Sequence, residues 1–259
     1  VSDRRRPFVV AHRGASEEKK EHTLVAFDHA LQQGADALEC DVRITRDGHI
    51  VCVHDRRVDR TSTGTGLVSG LSYETLKTFD YGAEGEPAEV LLLSDLIKLV
   101  LDWTSKPVKL FIETKHPVRY GSLVENKVLA ELHRYGLAQP ASAAHSRAVI
   151  MSFAPTAVWR VRRMAPLLPT VLLGDASRYL GGGAATAVGA TAVGPSIKSL
   201  RERPWIVDRA AASGRATYCW TVDEKADVEL CLELGVGWIA TNNPGRTRAW
   251  LDQGAEPAE

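Results

Sequence analysis

Short apolar runs alternate with amphipathic stretches along nearly the whole chain. Phe8–Ala11, Ala37–Val42, Val108–Glu113, Ala148–Ser152, Thr170–Leu173, Ala190–Val193, Ala216–Trp220 and Trp238–Ala240 read as strands buried on both faces. Helical spacing fills the intervals. In HTLVAFDHALQQG, Leu24, Phe27 and Leu31 recur at i, i+3 and i+7, with Thr23 as N-cap and Gly34 just past the end. SDLIKLVLDW predicts a helix capped by Ser94, and SLVENKVLAELHRYG places Val124, Val128 and Leu132 on one face. DEKADVELCLELG runs from Asp223 as cap to Gly235 as stop. GGGAATAVGATAVGP, Gly181–Pro195, predicts a loose small-residue helix leading into the sixth strand. A last helix is expected near Arg246–Leu251, before a frayed DQGAEPAE tail.

Eight strands, each leading on to a helix, predict an α/β fold of the closed (β/α)₈ TIM-barrel type, one domain spanning residues 1–259. The competing doubly wound sheet would place a G-x-G-x-x-G turn after its first strand, and AHRGASEE supplies none. One segment breaks the alternation. Only TRDG separates CDVRI from HIVCVHD, too little for a parallel crossover, so Asp47-Gly48 marks a hairpin. The returning strand brings His54 back near the level of Glu39 and Asp41. The polar stretch that follows, residues 55–90, predicts a small insertion over the barrel mouth.

Composition narrows the function. Lys plus Arg and Asp plus Glu balance at 32 each, so no global field favours nucleic acid or an anionic membrane, and an anionic ligand needs a local cluster. Cys40, Cys52, Cys219 and Cys231 stand singly without C-x-x-C spacing, which argues against a zinc site or disulfide framework and for a reducing, cytoplasmic setting. No apolar run approaches the ~20 residues of a membrane span, so no stable membrane anchor is expected. The oligomeric state is not legible in the pattern.

The chemistry lies in polar residues inside apolar strands. Side chains alternate along a strand, so Glu39 and Asp41 share one face, as do Glu113 and Lys115 of LFIETKH. In a barrel that face can be the lumen, at the C-terminal strand ends, where His12 and Arg13 also fall. Three carboxylates cannot sit bare together, and a hard divalent cation, Ca²⁺ or Mg²⁺, resolves their repulsion. Arg13 and Lys115 are then surplus positive charges suited to a phosphate, and His12 and His54 could serve as general acid and base. Taken singly, each element has a structural alternative: Glu39 a salt-bridged strand acid, His12 a hydrogen-bonded core histidine, Glu113–Lys115 an ion pair. Their conjunction at successive strand ends makes coincidence a poor account. His29, His49, His116, His133 and His145 lack such company and are read as surface or structural, with His22 undecided.

In order, AHRGA, LECDV, VCVHD, FIETKH, YCWTV and ATNNPG resemble the motifs of the glycerophosphodiester phosphodiesterase family, over about Val9 to Arg246. That resemblance implies the same barrel, with Glu39, Asp41 and Glu113 as metal ligands and His12 and His54 as the acid/base pair. It assigns Arg13 and Lys115 to the substrate phosphate. Trp220 becomes an apolar wall for the glycerol or the leaving alcohol, or else simply a core tryptophan. The implied reaction is metal-dependent hydrolysis of glycerophosphodiesters such as glycerophosphocholine or glycerophosphoethanolamine to glycerol 3-phosphate and an alcohol, through a cyclic phosphate. Two rivals are a lysophospholipid or sphingolipid phosphodiesterase on the same barrel and a non-catalytic phosphodiester-binding module. The chain departs from the family pattern at His22, where E-N-T would have asparagine, and at Asn242, where aspartate is common.

Overall fold

The apolar runs are strands of one sheet in the computed structural model of the chain, which describes residues 6–117, 121–175 and 183–253. In chain order they are β1 (Phe8–His12), β2 (Ala37–Ile44), β3 (Ile50–Cys52), β4 (Lys109–Thr114), β5 (Ala148–Ser152), β6 (Thr170–Leu173), β7 (Ala192–Gly194), β8 (Ala216–Cys219) and β9 (Trp238–Thr241). All but β3 run parallel to their neighbours. β1 pairs with both β2 and β9, which closes the ring. The result is the expected eight-stranded barrel, with one strand outside it.

β3 is the return arm of the hairpin. It lies antiparallel to β2, with Ile44 opposite Ile50 and Val42 opposite Cys52. Gly48 adopts φ 87° in the turn, a conformation that glycine takes without a Cβ penalty. Beyond the strand, Val53 N–H donates to Asp41 O at 2.9 Å, so the chain is still tied to β2 where it reaches His54.

The helices are α1 (Leu24–Gln32), α2 (Tyr73–Leu76), α3 (Leu93–Asp102), α4 (Leu123–Arg134), α5 (Pro155–Met164), α6 (Gly183–Ala187), α7 (Ile197–Glu202), α8 (Trp205–Ala212), α9 (Lys225–Leu234) and α10 (Pro244–Gln253). Thr23 caps α1 by accepting from Ala26 N–H, and Gly235 ends α9 in the left-handed conformation. Two expected caps are corrected. α3 begins a residue before Ser94, after an extended Leu92, with no side-chain cap. α9 is entered through Glu224, because the Asp223 carboxylate is engaged by Thr241 and Asn242 instead. Of the small-residue stretch, 183–187 is helical as expected, and residues 181 and 182 lie outside the described residues. Asp252 and Gln253 still belong to α10, and the rest of the expected tail, 254–259, lies outside them too.

Burial follows strand parity. Val10, Ala37, Phe111, Val149, Met151, Val171, Tyr218 and Ala240 fill the barrel interior, while Leu38, Cys40, Leu110 and Ile112 face the helix layer. Phe111 packs against Tyr218 and edge-on to Trp238, both at 5.1 Å between ring centres. Each such large side chain contributes roughly 1.5–3 kcal/mol by leaving water. These residues plug the barrel beneath the next polar layer. Residues 55–90 build a small cluster of their own, in which Val58, Val68, Leu76, Tyr81 and Val90 pack with Val51 and Val53 of the hairpin.

Candidate active site

One residue pair further along the same interior face, the apolar filling gives way to acids. In the register His12 stands beside Glu39, and Asp41 beside Glu113. One oxygen from each of Glu39, Asp41 and Glu113 lies within 4.8 Å of the others. Their exposures are 1%, 1% and 6%, so water does little to screen the repulsion. Burial, with Asp41 and Glu113 adding to it, pushes the Glu39 carboxyl well above its ordinary range. Burial and Asp41 raise Glu113 to about 8. Asp41 goes the other way: burial opposes its ionisation, but Lys115, His22 and Arg13 together hold it low.

Lys115 Nζ sits 2.8 Å from both Asp41 Oδ1 and Glu113 Oε1. Arg13 Nε approaches Asp41 Oδ2 to 3.1 Å without hydrogen-bond alignment, leaving that buried oxygen unpartnered. An all-oxygen donor set within one ion's reach, with an unpartnered oxygen and two carboxyls driven towards protonation, fits a hard divalent cation. Lys115, expected on the substrate phosphate, is engaged with two of these acids.

Arg13 is presented by a tight backbone. It adopts φ 59° and Gly14 φ 87°, and a Cβ on Gly14 would meet the Ala26 carbonyl carbon at 2.7 Å. The turn also lets Arg13 N–H donate to both Glu39 O and Glu39 Oε2. The guanidinium then reaches Glu21 Oε1 at 3.3 Å.

The two histidines have different partners. His12 Nδ1 lies 2.7 Å from Asn242 Oδ1. The Asn242 amide is held by Asp223, which accepts from its Nδ2 at 2.6 Å and from its backbone N–H at 2.7 Å. A carboxylate fixes which end of that amide is oxygen, so His12 Nδ1 carries the proton and Nε2 keeps its lone pair. Burial, with Arg13 adding to it, lowers the His12 pKa to about 4. His54 Nδ1 instead meets a carboxylate, Asp55 Oδ1, at 2.7 Å. Burial lowers the His54 pKa too, with Asp41 and Asp55 pulling upward. Arg60 joins Asp55 to Glu21. Arg43 donates Nε and Nη2 to the His54 carbonyl.

Trp220 is half-buried, anchored through Nε1 to Gly194 O, and meets Phe153 edge-on at 5.3 Å. His22 proves to be part of the site. It is buried at φ 60°, and its Nε2 accepts from Asp41 N–H at 3.0 Å. Sequence reasoning missed Ser16, Arg43, Phe153 and the pairing of Asp223 with Asn242. For Phe153 the signal was an aromatic residue just past a strand end. The Asp223 contact joins residues on different strand ends and had no local signature. His116, by contrast, pairs with Glu125 at 2.6 Å, away from the acid cluster.

Together these features define a class, a (β/α)₈-barrel enzyme with an acid cluster and two differently partnered histidines at the carboxyl ends of its strands. The family model described as "Glycerophosphoryl diester phosphodiesterase family" matches residues 12–246. A probable glycerophosphodiester phosphodiesterase 1 of Mycobacterium tuberculosis is 63% identical over 257 residues, covering 96% of this chain and 93% of its own. A glycerophosphodiester phosphodiesterase of Caldanaerobacter subterraneus is 32% identical over 92% of this chain and 94% of its own. A solved structure from Silicibacter pomeroyi, a putative glycerophosphoryl diester phosphodiesterase, superposes with a TM-score of 0.85 at 26% identity, over 96% of this chain and 94% of its own. An Oleispira antarctica phosphodiesterase, solved with the product sn-glycerol-3-phosphate, shares the fold with a TM-score of 0.82 at 20% identity, over 95% and 97%. The chain belongs to the glycerophosphoryl diester phosphodiesterase family.

Proposed function

We propose that the protein hydrolyses glycerophosphodiesters to glycerol 3-phosphate and an alcohol, using His12 and His54 for proton transfer and a divalent cation as cofactor. The observation that carries this reading is the meeting of three buried carboxylates beside two histidines at one end of the barrel. When bound, Ca²⁺ or Mg²⁺ would be held by Glu39, Asp41 and Glu113 and would neutralise charge building on the phosphoryl oxygens. Arg13 orients the phosphate, and Lys115 both holds the acids together and faces the same anion. Trp220 and Phe153 supply an apolar wall for the substrate's carbon skeleton. Residues 55–90 form a rim on this single domain, and the four buried, unpaired thiols fit a cytoplasmic enzyme.

In the first step His12 Nε2 takes the proton of the glycerol 2-hydroxyl as its oxygen bonds to phosphorus. His54 gives a proton to the departing alcohol oxygen as that P–O bond breaks, and a cyclic phosphate results. In the second, His54 takes a proton from the attacking water, and His12 returns its proton to the 2-oxygen. The neutral amide on His12 supports a base, while the Asp55 carboxylate supports the cationic form of His54. The test is glycerol 3-phosphate release from glycerophosphodiesters by the metal-loaded protein. His12→Ala and His54→Ala should each lower kcat by at least ~10²-fold, the usual scale of general acid–base help. A variant within a few-fold of the parent would remove that histidine from the mechanism.

A further inference from the structure

Each histidine lines a cleft of its own, and the two clefts differ in charge. The His12 cleft, about 430 Å³, sets Arg13 against Glu17 and Glu21, with Ser16 and Asn242 completing the wall. The His54 cleft, about 500 Å³, carries Arg43, Arg56, Arg57 and Arg60 against only Asp55 and Asp59.

Two of those four arginines are already committed, Arg60 to Asp55 and Glu21 and Arg57 to Asp59. The other two form no ion pair among the described residues. Arg43 directs Nε and Nη2 at the His54 carbonyl, and its Nη1 has no partner among the described residues. Arg56 forms no ion pair or side-chain hydrogen bond among them. Arg43 and Arg56 line the same cleft, and a guanidinium stays charged at any physiological pH. Two like charges with spare donors therefore face one cleft beside His54. A guanidinium fork matches carboxylate and phosphate oxygens in pairs, and an ammonium would be repelled here.

Substrate chemistry says what such a cleft can read. In any glycerophosphodiester the glycerol arm is uncharged, and the central phosphate is common to all. Only the alcohol arm varies in charge. Resting on the hydrolase reading above, we infer that the His54 cleft is the headgroup subsite and that it selects alcohols bearing a further anion, phosphate or carboxylate, over cationic amines. Arg56 is the specificity-determining residue, because it has no other partner among the described residues and lies outside the catalytic set.

Three comparisons of kcat/KM at low ionic strength test this with the metal-loaded full chain. The substrates are glycerophosphocholine, glycerophosphoglycerol with its neutral headgroup, and a pair with anionic headgroups, glycerophosphoinositol 4-phosphate and glycerophosphoglycerate, which separate phosphate from carboxylate recognition. At least one anionic diester should exceed the neutral one by roughly ten-fold, the choline ester should be slowest, and added salt should compress the spread. Arg56→Glu should erase the anionic preference while leaving glycerophosphoglycerol turnover within about two-fold. Equal rates, a choline preference, or an anionic preference that survives Arg56→Glu would overturn the inference. Calorimetric titration of His12→Ala with the same diesters reads the preference as Kd without turnover. If no diester is hydrolysed yet the anionic one binds tighter, the hydrolase reading falls and the subsite stands. If hydrolysis occurs with no preference in either measurement, the reverse holds.

Discussion

Gly14 shows how much the placement of one side chain depends on its neighbour's backbone. Its φ of 87° and the 2.7 Å approach to Ala26 both exclude a Cβ. Gly14→Ala should therefore destabilise the fold by about 1–3 kcal/mol and displace Arg13, lowering kcat/KM as well as the melting temperature. A variant with unchanged melting and turnover would show that the turn relaxes freely. Asn242 gives the opposite lesson. In sequence it looks like the loss of a charge, but Asp223 stands 2.6 Å from its amide nitrogen and keeps that charge one residue removed from His12. Asp223→Ala frees the amide to turn over and His12 to change tautomer. It should cost on the order of ten-fold in kcat with little change in KM. Imidazole ¹⁵N shifts report the tautomer directly, and a parental spectrum in Asp223→Ala would refute the role. The motif residues themselves were legible because strand parity dictates which way Glu39, Asp41 and Glu113 point. His22 was not, since its value lies in one hydrogen bond to a residue far along the chain, Asp41.

At the level of elements, the hairpin after β2 could be read because four residues cannot carry a parallel crossover. The helix caps at Ser94 and Asp223 could not. A cap is a local preference of about 1 kcal/mol, and a tertiary contact such as Asp223 with Asn242 outweighs it. The same competition built the chain of charges that ties the hairpin to the loop after β1. Burial alone would raise Glu21, but the Arg60 hydrogen bonds and the Arg13 charge hold it at about 2. Asp55 is likewise held at about 2 by Arg60, against a burial penalty and with help from His54. Both carboxyls are depressed below their unfolded values. Their contribution is therefore complete above about pH 5 and lost as pH falls towards about 2. Arg60 is half-exposed, so each pair contributes no more than about 1 kcal/mol. Arg60→Ala should move the acid-unfolding midpoint to higher pH while leaving stability in 1 M salt nearly that of the parent. An unmoved midpoint would mean that the charges merely coexist.

For the whole molecule, neighbouring strands bring the acids of β2 and β4 together and closure of the barrel buries them, so that a cation held there would couple to folding. Glu39 and Glu113 are both raised, Glu113 to about 8, so near neutrality a cation binding at the proposed site would displace protons. Affinity should rise with pH up to about 8, and the binding enthalpy should vary with the buffer's ionisation enthalpy. Ca²⁺ or Mg²⁺ at a hundred times its Kd stabilises by ~2.7 kcal/mol, or about 5–10 °C in melting temperature for a chain of this size. EDTA should abolish both the shift and turnover. A melting temperature indifferent to either ion, with full activity in EDTA, would exclude the metal. The barrel leaves His54 off its own ring of strands, on an arm joined to it through β3, the Val53–Asp41 link and Arg43. The two histidines are thus mounted on separate parts, His12 on the ring and His54 on the arm. On the proposed mechanism, a lesion in the Thr45–His49 turn that let the arm drift would leave the acid cluster and His12 in register on β1, β2 and β4 while carrying the second histidine away, so that assembly of the site hangs on one short turn.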